Sequence, residues 1–298
     1  MRQQNRETIS AAFSRNKREI LKVTFIRKFG FFLIALGFTL SSFANISHHQ
    51  HYVPANNNAS QGLSGSFEYL APFTQLILSG KVDVILKMGS QPSIRVLNAS
   101  TENLIINVQP VGDILSIDCS TIRIQSDGKK PKQIVRPLIE ITVRQLNNLI
   151  TKNSVRVRGQ ITSQSLIIQT KGSSQISLNG MVNVRQIQST QKSLVNLYWV
   201  NSSNLVVEAN KNSVVQLAGV AGVLHATLID NAQLKGQYLR AQQAIVQTDN
   251  NAFAGVLAIQ ALRAFASQDS NIFYYKYPRS LNDFSLDSAN ILQVDWRP

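Results

Sequence analysis

The sequence is poor in several residue types that mark familiar protein classes. It has one cysteine in 298 residues, which excludes an intramolecular disulfide framework and any zinc or iron–sulfur site built from several cysteines. Proline is absent from residues 138–277, since all eight prolines lie outside that window. The apolar run at residues 29–40 has twelve residues, short of the roughly 20 that a membrane-spanning helix needs. Acidic residues number only 16, against 30 lysines and arginines.

The excess of positive charge is concentrated at the N-terminus. The first 28 residues carry eight basic and two acidic groups, the apolar run follows, and Ser42 and Ala44 are small residues spaced as at a cleavage site. A basic flank, a short apolar core and such a site predict a signal peptide at residues 1–44. Export to the periplasm, the outer surface or the medium follows, with membrane contact only through an uncleaved signal segment. The remaining 254 residues carry +8 (22 basic and 14 acidic groups), without the aromatic interleaving of a nucleic-acid groove.

Residues 45–66 are polar and unpatterned, and they predict a flexible lead-in. Three of the four histidines lie there, but no carboxylate or thiol accompanies them, so we predict neither a metal site nor a cofactor. From residue 67 the pattern changes to short runs of alternating apolar and polar residues separated by turn residues. This alternation predicts strands and a single all-β domain over residues 67–298.

A repeat of 19 or 20 residues runs from residue 149 to residue 277. Its clearest feature is a column of turn residues, in which we expect a structural ladder of short side chains: Ser154, Ser174, Ser193, Ser213, Ala232, Asn251 and Ser270. A unit of this length cannot bury its own apolar face, so it must stack on its neighbours. Its short runs rich in Val, Ile, Thr and Asn predict one coil of a parallel β-helix, a solenoid of about seven coils after an N-terminal β segment.

The same segments resemble the head GIN domain family of adhesin-like proteins. The resemblance lies in the opening FTQLILSGKVDVILKMG, the turn-strand segment TKGSSQISLNG and the closing LRAFASQDSNIFYYKYPRS, and it covers about residues 67–279. It implies a right-handed β-helix in an exported bacterial protein with an adhesion or surface-interaction role. Only about 20 residues follow Pro278, so we do not expect the translocator barrel of an autotransporter, which needs many strands after the passenger.

Four lysines lie one to three residues before the turn column: Lys152, Lys171, Lys192 and Lys211. They are candidates for binding an anionic glycan or, alternatively, a solvated charge ladder that protects the edge. Later coils carry Asp230, Asp249 and Asp269 near the same corner, which we interpret as turn residues rather than a Ca²⁺ site.

Two aromatic groups complete the candidates, Tyr198 with Trp199 and the segment 273–277. Exposed aromatic side chains commonly bind sugars, but the end of a solenoid must be covered, so we favour a capping role and expect residues 279–298 to supply the rest of the C-terminal cap. The lone Cys119 lies in an apolar stretch and is expected to be buried. His225, the only histidine of the repeat region, has no nucleophile nearby.

These observations favour a non-enzymatic, exported adhesion-type protein whose partners are cell-surface polysaccharides or envelope proteins. Two alternatives stay open. Parallel β-helices also include carbohydrate-active enzymes, although paired carboxylates are scarce in the repeat region. An envelope structural or assembly factor without a defined ligand would carry the same repeat.

Overall fold

The computed structural model describes residues 67–98, 104–121 and 136–295. In these residues the regular structure is nineteen strands and no helix, wound into a right-handed β-solenoid of about eight turns. The predicted all-β parallel β-helix is confirmed. The predicted signal peptide at residues 1–44 and lead-in at 45–66 lie outside the described residues. Within residues 67–98, 104–121 and 136–295, no helix has the length and apolar character needed to cross a membrane.

The N-terminal part of the domain contains the shorter strands. They are β1 (Phe67–Tyr69), β2 (Gln75–Gly80), β3 (Asp83–Met88), β4 (Ser93–Asn98), β5 (Leu104–Val111), β6 (Ile114–Thr121) and β7 (Leu138–Val143). β2 pairs in parallel with both β6 and β8 (Asn148–Asn153), and β3 pairs in parallel with both β7 and β9 (Arg156–Gln160). The coil of β2 and β3 therefore lies between the coil of β6 and β7 and the coil of β8 and β9. Antiparallel pairs of β1 with β4, β4 with β7 and β5 with β6 extend this end.

From β8 onward, chain order and spatial order agree. The next strands are β10 (Ser163–Lys171), β11 (Gln175–Asn179), β12 (Val182–Thr190), β13 (Leu194–Asn210), β14 (Val214–Ile229), β15 (Gln233–Thr248) and β16 (Phe253–Ala266). The long strands β13 to β16 bend around the solenoid, and each pairs in parallel with the next. The last coil is formed by β17 (Asn271–Tyr274), β18 (Ser280–Ser285) and β19 (Asn290–Gln293), of which β18 pairs with β16 and β19 with β17.

The alternation in the sequence places apolar side chains inside every coil. One inward column contains Ile176, Val195, Val215 and Leu234, which pair in register and are fully buried. Burying each such side chain stabilises the fold by about 1.5–3 kcal/mol. Cys119 is also buried in the core, as expected from its apolar stretch.

Two faces of the solenoid meet at a tight corner. The first face contains β2, β8, β18 and the C-terminal parts of β10 and β12 to β16, and the second contains β3, β9, β11, β17, β19 and the N-terminal parts of β13 to β16. Four successive corners turn with two left-handed residues each: Lys211-Asn212, Asp230-Asn231, Asn250-Asn251 and Gln268-Asp269. Asn and Asp tolerate this conformation, which explains their enrichment there.

The strand register corrects two members of the predicted turn ladder. Four members follow one another in the column as predicted and have buried side chains: Ser174, Ser193, Ser213 and Ala232. Val155 precedes Ser174 in this column, and Ala252 lies between Ala232 and Ser270. Ser154 and Asn251 therefore lie one residue before the column. The reason is that both residues still belong to the turn, and Asn251 keeps a left-handed backbone with φ 58°.

The C-terminal segment forms a further coil rather than a separate cap. β18 continues the first face and β19 the second, in register with the coil before them. In this last coil two inward columns become polar, since Asp283 follows Ala264 and Gln293 follows Tyr274, while Leu281 and Ile291 continue the apolar columns of Leu262 and Ile272. A polar outer coil lets the end of a solenoid face water. Trp296, at the end of the expected cap, lies outside the described residues.

Candidate functional site

The corner between the two faces carries one charged residue in each of nine consecutive coils. We call this row the charged corner: Lys81, Lys152, Lys171, Lys192, Lys211, Asp230, Asp249, Asp269 and Asp287. The four predicted lysines are all exposed, but they occupy three different positions of the turn. Lys152 and Lys171 precede the left-handed residue, Lys211 is itself left-handed, and Lys192 follows one. None of the four forms an ion pair with a described residue.

The aspartates of the charged corner act as turn residues. Asp230 accepts a hydrogen bond from the Asn250 amide at 2.8 Å, and Asp249 accepts one from the Ser267 hydroxyl at 2.8 Å. The described residues contain no group of three or more His, Cys, Asp or Glu side chains placed to share a metal ion. His225 lies on the outer side of the first face, between the buried Leu224 and Ala226.

Tyr198 and Trp199 lie at a different corner, in the middle of the solenoid. Both residues oppose the single residue Ala218 across the β13–β14 pair, because the register shifts between Leu197 and Val200. Such a β-bulge adds a residue and re-aims side chains. Trp199 adopts φ 70°, rare for a bulky residue, and its side chain is 72% exposed. The bulge therefore turns an indole outward at the cost of local strain of about 1–3 kcal/mol.

A groove of about 600 Å³ opens beside these aromatic residues, and we call it the tryptophan groove. It is lined by Gln160, Asn179, Gly180, Met181, Tyr198 and Trp199. The two amide side chains come from the ends of β9 and β11, one coil apart from each other. The groove thus combines an aromatic platform with amide donors and acceptors, as sites for neutral sugar rings do. Because it lies in mid-solenoid, a capping role for Tyr198 and Trp199 is wrong.

A second groove of about 220 Å³ lies on the same face, and we call it the arginine groove. Its polar lining consists of Asp83, Arg156, Arg158, Gln175, Ser177 and Asn196, of which the two arginines and Gln175 are exposed. Along β9, β11 and β13 these side chains precede the lining of the tryptophan groove by two or four residues. Since every second residue of a strand points to the same side, the two grooves lie end to end on the second face.

The arginine groove carries net positive charge. Arg136 donates a hydrogen bond to Asp83 at 3.1 Å and two more to the Ser154 carbonyl, so the Asp83 carboxylate is already compensated. Burial lowers the pKa of Arg136, and Asp83 acts in the opposite direction. Neither Arg156 nor Arg158 forms an ion pair with a described residue. Their two charges are therefore available to an external anion.

An unsatisfied acceptor lies within the same groove. Asn196 Oδ1 is buried and has no hydrogen-bond partner among the described residues. A buried polar atom without a partner costs about 1–3 kcal/mol.

Sequence reasoning predicted only part of this surface. Tyr198 and Trp199 line a groove, but the predicted lysines lie at the other edge of the second face, and the structure does not bring the two sets into contact. The arginines, amides and Asn196 were missed. One signal for them was present: Arg156 and Arg158 flank the buried Val157, and this alternation marks both arginines as outward-facing.

These features define the class of protein as a β-solenoid with a grooved, polar outer face. The chain belongs to the family described as "Putative auto-transporter adhesin, head GIN domain", which matches residues 72–278. This confirms the resemblance recognised in the sequence. No curated protein matches the chain.

Solved bacterial structures share the fold. A protein of Parabacteroides merdae, titled a putative adhesin, superposes with a TM-score of 0.63 at 14% identity, covering 78% of this chain and 96% of that one. A putative lipid binding protein of Parabacteroides distasonis superposes with a TM-score of 0.60 at 15% identity, covering 78% of this chain and 97% of that one. A putative adhesin of Bacteroides fragilis superposes with a TM-score of 0.55 at 14% identity, covering 77% of this chain and 96% of that one. At such identities the likeness is one of fold.

Proposed function

We propose that this chain is an exported, non-enzymatic adhesion protein that binds an acidic glycan across its second face. The observation that carries the proposal is the end-to-end arrangement of the arginine groove and the tryptophan groove. Membership of an adhesin-like family supports a role in surface interaction, and the basic and apolar N-terminal segment supports export.

The positive end of this surface suits a carboxylate or sulfate group. Arg156 and Arg158 carry uncompensated charge, and a guanidinium binds such anions through two parallel hydrogen bonds. Lys171 and Lys192 extend the positive charge at the neighbouring corner. An anionic ligand would gain most when it lies over the two exposed arginines.

The aromatic end suits the flat, apolar face of a sugar ring. Trp199 is 72% exposed and Tyr198 is 38% exposed, with Gln160 and Asn179 beside them. Lys192 lies in the turn before β13, six residues from Tyr198, or about 20 Å at the rise of an extended chain. A single extended chain of several sugar units can therefore contact both ends.

Glycan-array binding of the full chain, as the cell processes it, tests the proposal. We expect binding to acidic polysaccharides such as heparin, and we expect Trp199→Ala and the pair Arg156→Gln with Arg158→Gln each to weaken it by about tenfold or more. The arginine pair should also reduce the salt dependence of binding, whereas Trp199→Ala should leave it unchanged.

Two matched substitutions serve as controls. Lys235→Gln removes an exposed positive charge from the same face beyond the grooves, and Phe284→Ala removes an exposed aromatic ring from the last coil. Both should retain wild-type binding. The proposal is rejected if no acidic glycan binds, or if the controls weaken binding as much as the groove variants. Thermal unfolding of every variant verifies that the fold is intact.

A further inference from the structure

The charged corner changes sign once along the solenoid. Its first five residues are lysines and its last four are aspartates, with one residue in each of nine consecutive coils and no exception to the order. A solvated corner needs charge, but it does not need the two signs to be segregated. The segregation makes one edge of the molecule positive over half its length and negative over the other half.

Like charges within each half lie close together. Adjacent coils are about 4.8 Å apart, so neighbouring lysines repel one another, and so do neighbouring aspartates. The lysines have no ion-pair partner among the described residues. A row of opposite charges with the same spacing would relieve this repulsion, and the other half of the same corner provides such a row.

We propose that the charged corner is a docking surface for a second copy of this chain, lying antiparallel to the first. A two-fold axis between the coils of Lys211 and Asp230 brings the lysine half of each copy against the aspartate half of the other. Four facing pairs result, and symmetry repeats each pair: Lys211 with Asp230, Lys192 with Asp249, Lys171 with Asp269 and Lys152 with Asp287. A self-complementary contact of this kind is isologous and closes at two copies.

The orientation follows from the charges. A parallel arrangement in register would place lysines against lysines, which costs free energy. The antiparallel arrangement pairs every residue of the charged corner except Lys81 with an opposite charge of the other copy. All five lysines are exposed, as are Asp269 and Asp287, so these side chains are accessible to a partner. The contact uses neither groove of the second face, and it shares only Lys171 and Lys192 with the proposed glycan surface.

Exposed ion pairs are individually weak, which sets the expected behaviour. Sedimentation velocity of the full chain, as the cell processes it, should show a concentration-dependent monomer–dimer equilibrium at about 0.02 M salt. The dimer should be lost at about 0.5 M salt, where charges separated by more than a few ångströms are screened.

Charge-swap variants provide the specific test. Lys171→Asp with Lys192→Asp, and separately Asp249→Lys with Asp269→Lys, should each raise the dimer dissociation constant by at least about tenfold, because attractive pairs become repulsive. An equimolar mixture of the two double variants should restore a dimer, since the swapped halves complement each other. A control with Lys235→Asp and Arg263→Asp changes the net charge by as much as the lysine variant, away from the corner, and should dimerise as the wild type does.

Three results would overturn the proposal. They are a wild-type chain that stays monomeric at low salt up to about millimolar concentration, double variants that associate as tightly as the wild type, and a mixture no tighter than either variant alone. Binding of an acidic polymer to the lysines without self-association would assign the corner to that partner instead. The two proposals can fail separately, because the groove variants Trp199→Ala and Arg156→Gln with Arg158→Gln test glycan binding and leave every residue of the charged corner unchanged.

Discussion

At the scale of single residues, the inside of the charged corner selects for small side chains from Ser174 to Ala252, after Val155 at the start of the column. Ser174, Ser193, Ser213, Ala232 and Ala252 follow one another in the column, all with 0–1% exposure. Where serine occurs, its hydroxyl satisfies the turn: Ser213 donates to the Ser189 carbonyl at 3.0 Å, and Ser193 donates to the Thr190 carbonyl at 2.9 Å. Alanine has the same size and gives up that bond, so size decides the column and polarity is secondary.

Cys119 provides a prediction about pH. Burial, with the adjacent Asp118 charge in second place, raises the pKa of its thiol from 9.0 to about 12. The folded state therefore keeps the proton that the unfolded state loses. This contribution to stability is complete below pH 9.0 and is lost as pH rises from there towards 12, by about 1 kcal/mol at pH 10.

The measurement compares wild type with Cys119→Ala. We expect the unfolding midpoint of the wild type to fall more steeply between pH 8 and 10 than that of the variant, since lysines and tyrosines titrate in both. The native thiol should also resist labelling. Parallel pH profiles of the two proteins would contradict the assignment.

At the scale of strands, close backbone approach depends on glycine at one informative position. Gly159 in β9 pairs with Leu86 in β3, and a Cβ at Gly159 would lie 1.9 Å from the Leu86 carbonyl oxygen. That contact lies between the coil that the chain forms first and the coil of β8 and β9. A side chain there would force β3 and β9 apart.

We therefore predict that Gly159→Ala lowers the free energy of unfolding by about 3 kcal/mol, at the upper end of overpacking effects. Gly112→Ala is the control, because nothing lies within 4 Å of a Cβ at Gly112. It should cost only about 1 kcal/mol for the left-handed backbone. Urea unfolding provides both values, and equal losses would show that the close approach is not what requires glycine in β9.

The strand scale also shows how far the sequence could be read. The period of 19 or 20 residues and the alternation predicted the parallel coils, because each inward column repeats along the chain. The 20-residue spacing from Ser193 to Ser213 carried the extra residue of the Tyr198–Trp199 bulge, but spacing alone does not tell where in a coil an extra residue lies. The pairing of β2 with β6 was not predictable, since strands this far apart in sequence pair for reasons of packing.

At the scale of the whole molecule, the two ends of the solenoid are finished differently. The N-terminal end is extended by antiparallel strands, including β4 and β5. At the C-terminal end the inward columns themselves become polar at Asp283, Ser285 and Gln293. Inward-pointing charge at an open edge opposes end-to-end stacking of chains.

This arrangement predicts that Asp283→Leu makes the molecule associate through its C-terminal end. An apolar side chain would continue the column of Ala264 and present an uncovered apolar cross-section to another copy. We expect an increase in sedimentation coefficient with concentration at about 0.5 M salt, where contacts of the charged corner are screened.

Asn282→Leu is the matched control for this end effect. It places the same side chain on the neighbouring residue of β18, which pairs with the exposed Arg263 and points outward. It should leave the sedimentation behaviour unchanged. Association by both variants alike would mean that added apolar surface, and not the end of the solenoid, is responsible.

The sequence by itself determined the coil, the buried faces and the presence of charge at one corner, because a repeated period places like residues above one another whatever the rest of the chain does. Only the tertiary structure decided what these repeats present to a partner. Arg158 and Trp199 are 41 residues apart in the chain, yet stacking places them on one face. Likewise, the segregation of lysine and aspartate makes one half of an edge positive and the other half negative only when the coils are stacked in a line. The physical reason is that grooves and edges arise between coils, from the register that packing selects.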